Sequence, residues 1–265
     1  MSIEQIIVLA VVQGITEFLP ISSSGHLVLI PYLTGWPDQG QFTDVMVHLG
    51  TLLAILIYFW RDVIRLIGGA FELLQGKLTE EGKLAVFIVV ATIPAIIFGL
   101  FLKKFGFAEL ERSVGVVAFN TFFYGIVMLV ADMVGKQVKT MQNMTLFQAV
   151  FIGVAQALAL IPGTSRSGIT MSAARFLGFT RTESARFSFL LGIPAMLGAG
   201  TLTLGDALAA GDTISADSFI CAGLTFFAGL AAIAFLMAIV KRVSFLPFVI
   251  YRMVLSGFLV VLLYT

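Results

Sequence analysis

Two stretches of this chain carry groups for which an apolar segment has little ordinary use. The first, QGITEFLPISSSGHL from Gln13 to Leu27, sets Gln13 and Glu17 one helical turn apart. It then gives three hydroxyls, Ser22, Ser23 and Ser24, followed by the imidazole of His26. Residues four apart share a helix face, so Gln13 and Glu17 project together. A carboxylate at bilayer depth costs on the order of 3 kcal/mol, so Glu17 reads as a functional group rather than filler. Beside three hydroxyls, a neutral His26 can take a proton from a hydroxyl or water, or give one to a leaving oxygen. The second stretch, PGTSRSG from Pro162 to Gly168, supplies the hydroxyls of Thr164, Ser165 and Ser167, backbone donors beside Gly163 and Gly168, and the guanidinium of Arg166. A planar guanidinium suits phosphate oxygens. A carboxylate, a base, clustered hydroxyls and an arginine together fit phosphoryl transfer, in which positioning and charge neutralisation carry most of the catalysis. The other histidine, His48 in VMVHLG, reads as a satisfied core group, and Arg252 in FVIYRMVLSG either lines the same cavity or snorkels.

The elements that must position these groups are helices in a membrane. The chain has 265 residues, 59% of them hydrophobic and 12% charged, with a mean hydropathy of +1.03; a soluble domain carries about 25% charge. Its 16 Lys and Arg nearly balance 15 Asp and Glu, so nothing favours nucleic acid. The single cysteine, Cys221, excludes an internal disulfide and reads as a buried apolar residue. No basic region or small-residue cleavage site marks the first 30 residues, so the N-terminus is expected to be retained structure. Six stretches are long enough to span a bilayer: 42–60, 84–102, 113–132, 187–204, 218–240 and 245–264. Two more, 2–34 and 147–178, are interrupted by FLPISSSGH and IPGTSRSG and read as helix, break, shorter helix.

Loop charges choose how the interrupted stretches sit. If both are re-entrant, one side holds Arg61, Arg65, Lys77, Lys83, Lys136, Lys139, Arg175, Arg181, Arg186, Lys241 and Arg242, and the other only Lys103, Lys104 and Arg112. Full crossings would destroy that positive-inside bias. Both termini are then expected outside. Sliding the chain by 143 positions aligns Gln13 with Gln156, Ser22 with Ser165, Ser24 with Ser167 and Gly25 with Gly168 without a gap. The expected fold is therefore an all-α integral membrane protein, a single membrane domain of six transmembrane helices plus two re-entrant helix hairpins. Its halves, 1–134 and 145–265, form an inverted-topology repeat whose broken tips meet near the midplane, where helix N-termini favour an anion. A phosphate substrate that reaches such a site through lipid should itself be a lipid. A lipid-phosphate flippase or transporter on the same frame is the competing reading. The copies are unequal, however: Glu17 stands opposite Leu160 and His26 opposite Ile169, which favours an enzyme.

QGITEFLPISSSGHL and LIPGTSRSGITMSAARFLGFTRTESARFSFLLGIP, together with the closing FLPFVIYR, resemble the signature regions of the undecaprenyl-diphosphate phosphatase family, the bacitracin-resistance phosphatases of bacterial cell-wall synthesis. The resemblance runs the full length. It implies hydrolysis of undecaprenyl diphosphate and other polyprenyl diphosphates to the monophosphate carrier, at the outer face of the cytoplasmic membrane. It implies that Glu17 and His26 are catalytic, that Arg166 binds the diphosphate, and that Ser22, Ser23, Ser24 and Ser165 surround it. A divalent cation is also implied, Mg²⁺ with Ca²⁺ as the alternative, held by Glu17 with Gln13. Either Ser23 or a water is the nucleophile, and a homodimer is compatible with the family.

Overall fold

The computed structural model describes residues 1–105, 113–210 and 215–264. Among these the chain is all helical, with six helices long and apolar enough to cross a membrane. Two short helices open it, α1 (Ile3–Thr16) and α2 (Ser23–Thr34). Ser2 caps α1 by accepting from the Gln5 N–H. Pro20 and Ser22 fall between the two helices, where α1 cannot continue, and Ser23 and Ser24 open α2. Gly35, at φ 68°, ends α2 in the left-handed conformation that glycine tolerates. The first spans follow as α3 (Gln41–Tyr58), α5 (Glu80–Phe105) and α6 (Val114–Val134). The second half repeats the order: short helices α7 (Leu146–Leu158) and α8 (Arg166–Phe176), then spans α9 (Arg181–Ala209), α10 (Ala216–Ile239) and α11 (Leu246–Tyr264). Ser113, Thr145, Thr180 and Ser215 start their helices in the same way as Ser2, each hydroxyl accepting a first-turn N–H.

All six observed spans overlap the six expected ones. The largest difference is α9, which begins at Arg181 rather than near 187. Thr180 caps it there, so a polar opening of almost two turns carrying Arg181, Glu183 and Arg186 belongs to the helix although hydropathy leaves it out. Between α3 and α5, where only a loop was expected, lies α4 (Trp60–Leu74). Trp60, Ile64, Ile67, Phe71 and Leu74 recur at helical spacing along its exposed side. Arg112, one of the three basic residues expected on the outer side, lies outside the described residues.

The first short helix of each half is held by a span of the other half. α1 packs on α10 and α7 on α5, while α3 meets α9 and α6 meets α11. Small residues permit the approach: a Cβ on Gly14 would meet Ala228 and Gly229 of α10, and one on Gly153 would run into Ala91 of α5. The core so formed brings the breaks after α1 and α7 together, and most outward side chains of the spans are large and apolar.

Candidate active site

The two breaks have the same local geometry. Ser22 and Ser165, the residues just before α2 and α8, both adopt positive φ, 76° and 71°. Non-glycine residues there store strain of about 1–3 kcal/mol, and such strain gathers at functional sites. Each serine hydroxyl then sits 3.3 Å from the hydroxyl two residues on, Ser24 in the first break and Ser167 in the second. Ser165 also accepts the Gly168 N–H.

Glu17, just past the end of α1, is the centre of the site. Its Oε1 accepts from Arg166 Nη2 at 3.1 Å, and its Oε2 accepts from Ser23 Oγ at 2.7 Å and from Gln13 Nε2 at 3.2 Å. One carboxylate thus joins the first residue of α2 to the first residue of α8. Arg166 is held on its other side by the carbonyl of Ser188. Gly192 leaves it room, since a Cβ there would overlap the guanidinium. Glu17, Ser22, Ser23, Ser24, Ser165 and Arg166 line one cavity of about 590 Å³, whose remaining wall is largely apolar and runs along α5 and α9 from Ala95 to Leu100 and from Pro194 to Leu202. The N-termini of α2 and α8 open at it, two sources of free backbone donors for an anion. A polar floor beneath an apolar trough suits a phosphate carried on a lipid tail.

The other expected site residues lie off this cavity. Gln13 stands behind Glu17. Gly163, at φ 84°, packs on the Val117 backbone and gives its carbonyl to Arg252. Thr164 is buried in the break. Ser167 donates to the Leu19 carbonyl, binding the second break to the first. These residues shape the turn, because the chain reverses through them before α8 begins. His26, one turn into α2, faces α11. Its Nδ1–H donates to the Ser22 carbonyl at 2.7 Å, which fixes the tautomer, so Nε2 of the neutral ring accepts from the Tyr251 hydroxyl at 2.6 Å. It meets neither Glu17 nor Ser23.

His48, expected in the core, instead borders the cavity from α3, with Nε2 3.8 Å from Glu17 Oε2 and Nδ1 donating to the Asp44 carbonyl. Arg252 neither lines the cavity nor snorkels. It is 1% exposed and donates to the carbonyls of Thr121, Asn120, Pro20 and Gly163, so one guanidinium clamps both breaks to α6. Arg186 is outside the site, paired with Asp62. No sequence signal pointed to Tyr251, which becomes a neighbour of His26 only through the packing of α11 beside the first break.

For a divalent cation the donor chemistry fits. Gln13 Oε1 is buried without a protein partner beside the Glu17 carboxylate. Two hard oxygen donors plus substrate phosphate is the usual manner of Mg²⁺, which seldom has an all-protein cage. In keeping with that, no three His, Cys, Asp or Glu side chains cluster as ligands among the described residues.

Residues 6–258 match the family described as bacitracin resistance protein BacA. The chain is 48% identical to a protein of Jannaschia sp. (strain CCS1), over all of both chains. It is 47% identical to one of Erythrobacter litoralis (strain HTCC2594), over 97% of this chain and 98% of that one. It is 45% identical to one of Alcanivorax borkumensis, over 95% and 96%. All three bear the name undecaprenyl-diphosphatase.

Proposed function

The chain belongs to the bacitracin resistance protein BacA family, and from that premise we propose how this multi-pass membrane protein acts as an undecaprenyl-diphosphatase, hydrolysing undecaprenyl diphosphate to undecaprenyl phosphate and inorganic phosphate. The observation that carries the mechanism is the Glu17 carboxylate, with Ser23 Oγ on one oxygen and Arg166 on the other. The diphosphate sits on the polar floor, its charge met by Arg166 and the N-termini of α2 and α8, and its tail lies in the apolar trough. Ser23 Oγ passes its proton to Glu17 and attacks the terminal phosphorus. The bond from that phosphorus to the bridging oxygen breaks, and the lipid monophosphate leaves with the electron pair. Neutral Glu17 then holds Arg166 less strongly, which frees the guanidinium for the phosphoryl oxygens as charge builds on them. The departing lipid phosphate carries off the Glu17 proton; in the second step water gives a proton to Glu17 as it attacks the phosphoserine, and the leaving Ser23 Oγ takes that proton back, releasing inorganic phosphate and restoring both groups. A divalent cation held by Glu17 and Gln13 would add charge neutralisation on the phosphate.

His26 enters as a positioning residue: its bond to the Ser22 carbonyl holds the strained turn that aims Ser23. The sidedness follows from the loop charges. Two re-entrant hairpins with both termini outside leave the basic loops inside, and the site opens to the outer face of the cytoplasmic membrane. An inverted repeat of 1–134 and 145–265 is supported by the matched breaks and by the reciprocal packing of α1 on α10 and α7 on α5. Other polyprenyl diphosphates fit the same trough. The test is phosphate release from undecaprenyl diphosphate in detergent. Ser23→Ala and Arg166→Ala should each lower it by about a hundredfold or more, as expected for loss of a nucleophile or of a transition-state charge contact. Near wild-type release from both variants overturns the assignment, and a phosphorylated Ser23 peptide after rapid acid quench supports the covalent step.

A further inference from the structure

Gln156 of α7 is the repeat counterpart of Gln13, and the two amides have different fates. Gln13 Nε2 donates to Glu17, one turn on. The residue one turn after Gln156 is Leu160, which offers no side-chain acceptor. Both amide atoms of Gln156 are buried and lack any protein hydrogen-bond partner, and the residue is 2% exposed. Its side chain nonetheless borders the active-site cavity, on the wall shared with Leu160, Ser165 and Arg166. A primary amide carries two N–H donors and a carbonyl acceptor, and burying it unpaired costs free energy that a leucine or methionine of similar size would not. Because the residue lines the cavity proposed to take the diphosphate, that cost is offset when a ligand oxygen arrives.

We propose that Gln156 is a substrate-binding residue whose Nε2 donates to a non-bridging phosphate oxygen of the diphosphate, from the wall of the second half of the chain. The assignment rests on the phosphate site between the two breaks. Because the Gln156 amide shares no hydrogen bond with the Glu17–Ser23 pair, its contact forms with the bound ground state as well as with the transition state. Its loss therefore appears mainly in KM.

The experiment compares Gln156→Met, Gln156→Glu and Arg166→Ala, using undecaprenyl diphosphate in detergent, with kcat, KM and thermal unfolding measured for each. Gln156→Met should lower kcat/KM by about tenfold to a hundredfold, the worth of one hydrogen bond to a charged group. Most of that loss should be in KM, with an unfolding midpoint equal to or above wild type because no protein hydrogen bond is removed. Gln156→Glu, which places an anion beside the phosphates, should fall further. If Arg166→Ala is inactive while Gln156→Met keeps kcat/KM within about twofold of wild type, the role of Gln156 is overturned and the site stands. A Gln156→Met protein that unfolds in detergent also overturns it, since the amide would then be holding the fold. If Arg166→Ala stays active, the phosphate site itself is wrong.

Discussion

Single side chains in this protein act by what they hold together. Glu17 joins Ser23 to Arg166, so Glu17→Gln removes the proton acceptor and the counter-charge at once. Phosphate release should drop by about a hundredfold to ten-thousandfold, the range of a lost general base, while Glu17→Asp, whose shorter side chain keeps the charge, recovers part of it. Asp132 does comparable work away from the chemistry. It is buried and accepts from Arg175 Nε, from Arg181 Nε and Nη2, and from the Phe245 N–H. Asp132→Ala removes the counter-ion of the buried Arg175, which keeps only carbonyl acceptors, and of Arg181, and should cost about 3–5 kcal/mol, read as a lowered unfolding midpoint. The contrast between the sites is in the partners. Those of Asp132 are fixed by the backbone around them, whereas Ser23 and Arg166 open onto a cavity.

At the scale of elements, the breaks between α1 and α2 and between α7 and α8 are the working parts, and the spans are their mounts. Each break turns through a serine at positive φ, and Arg252 of α11 clamps the carbonyls of Pro20 and Gly163 from a distance in sequence. α9 supplies the seat for Arg166 through Gly192 and the Ser188 carbonyl. Gly192→Ala should therefore push the guanidinium off Glu17 and reduce activity by about tenfold or more, as misplacement of a charge-stabilising group does. Its unfolding midpoint should stay near that of wild type, because the added methyl group meets a flexible side chain rather than backbone. Gly163→Ala is the opposite case. There both the φ of 84° and the Val117 backbone oppose a Cβ, so folded yield should fall first.

Over the whole molecule, two similar halves grip each other's broken helices, and only one half carries the carboxylate. With a carboxylate in the first break alone, the proposed function places one phosphate site in the molecule rather than two. The proposed orientation is checked by labelling single cysteines in intact cells with a membrane-impermeant maleimide, in a Cys221→Ala background. Ser2→Cys should react without permeabilisation, and Lys136→Cys only after it. The reverse pattern would place the site opening on the inner face.

The sequence by itself determined the membrane class, the six spans, both breaks and the polar inventory of each. Hydropathy, proline and glycine act locally, and a carboxylate or arginine in an apolar segment is conspicuous wherever the segment goes. The meeting of Glu17 with Arg166, 149 positions apart, was legible as an expectation because the repeat related their segments. What only the tertiary structure decided is which way each group faces. Helical periodicity fixes faces within a continuous helix, but α2 and α8 each restart after a left-handed serine whose rotation no spacing rule supplies. His26 thus turned to Tyr251, while His48 came to the cavity from another helix. Arg252 became a clamp because carbonyls freed by both breaks converge on it. Gln156 stood unpaired for the same reason: whether a buried amide finds a partner is a property of packing, and its repeat counterpart Gln13 has one.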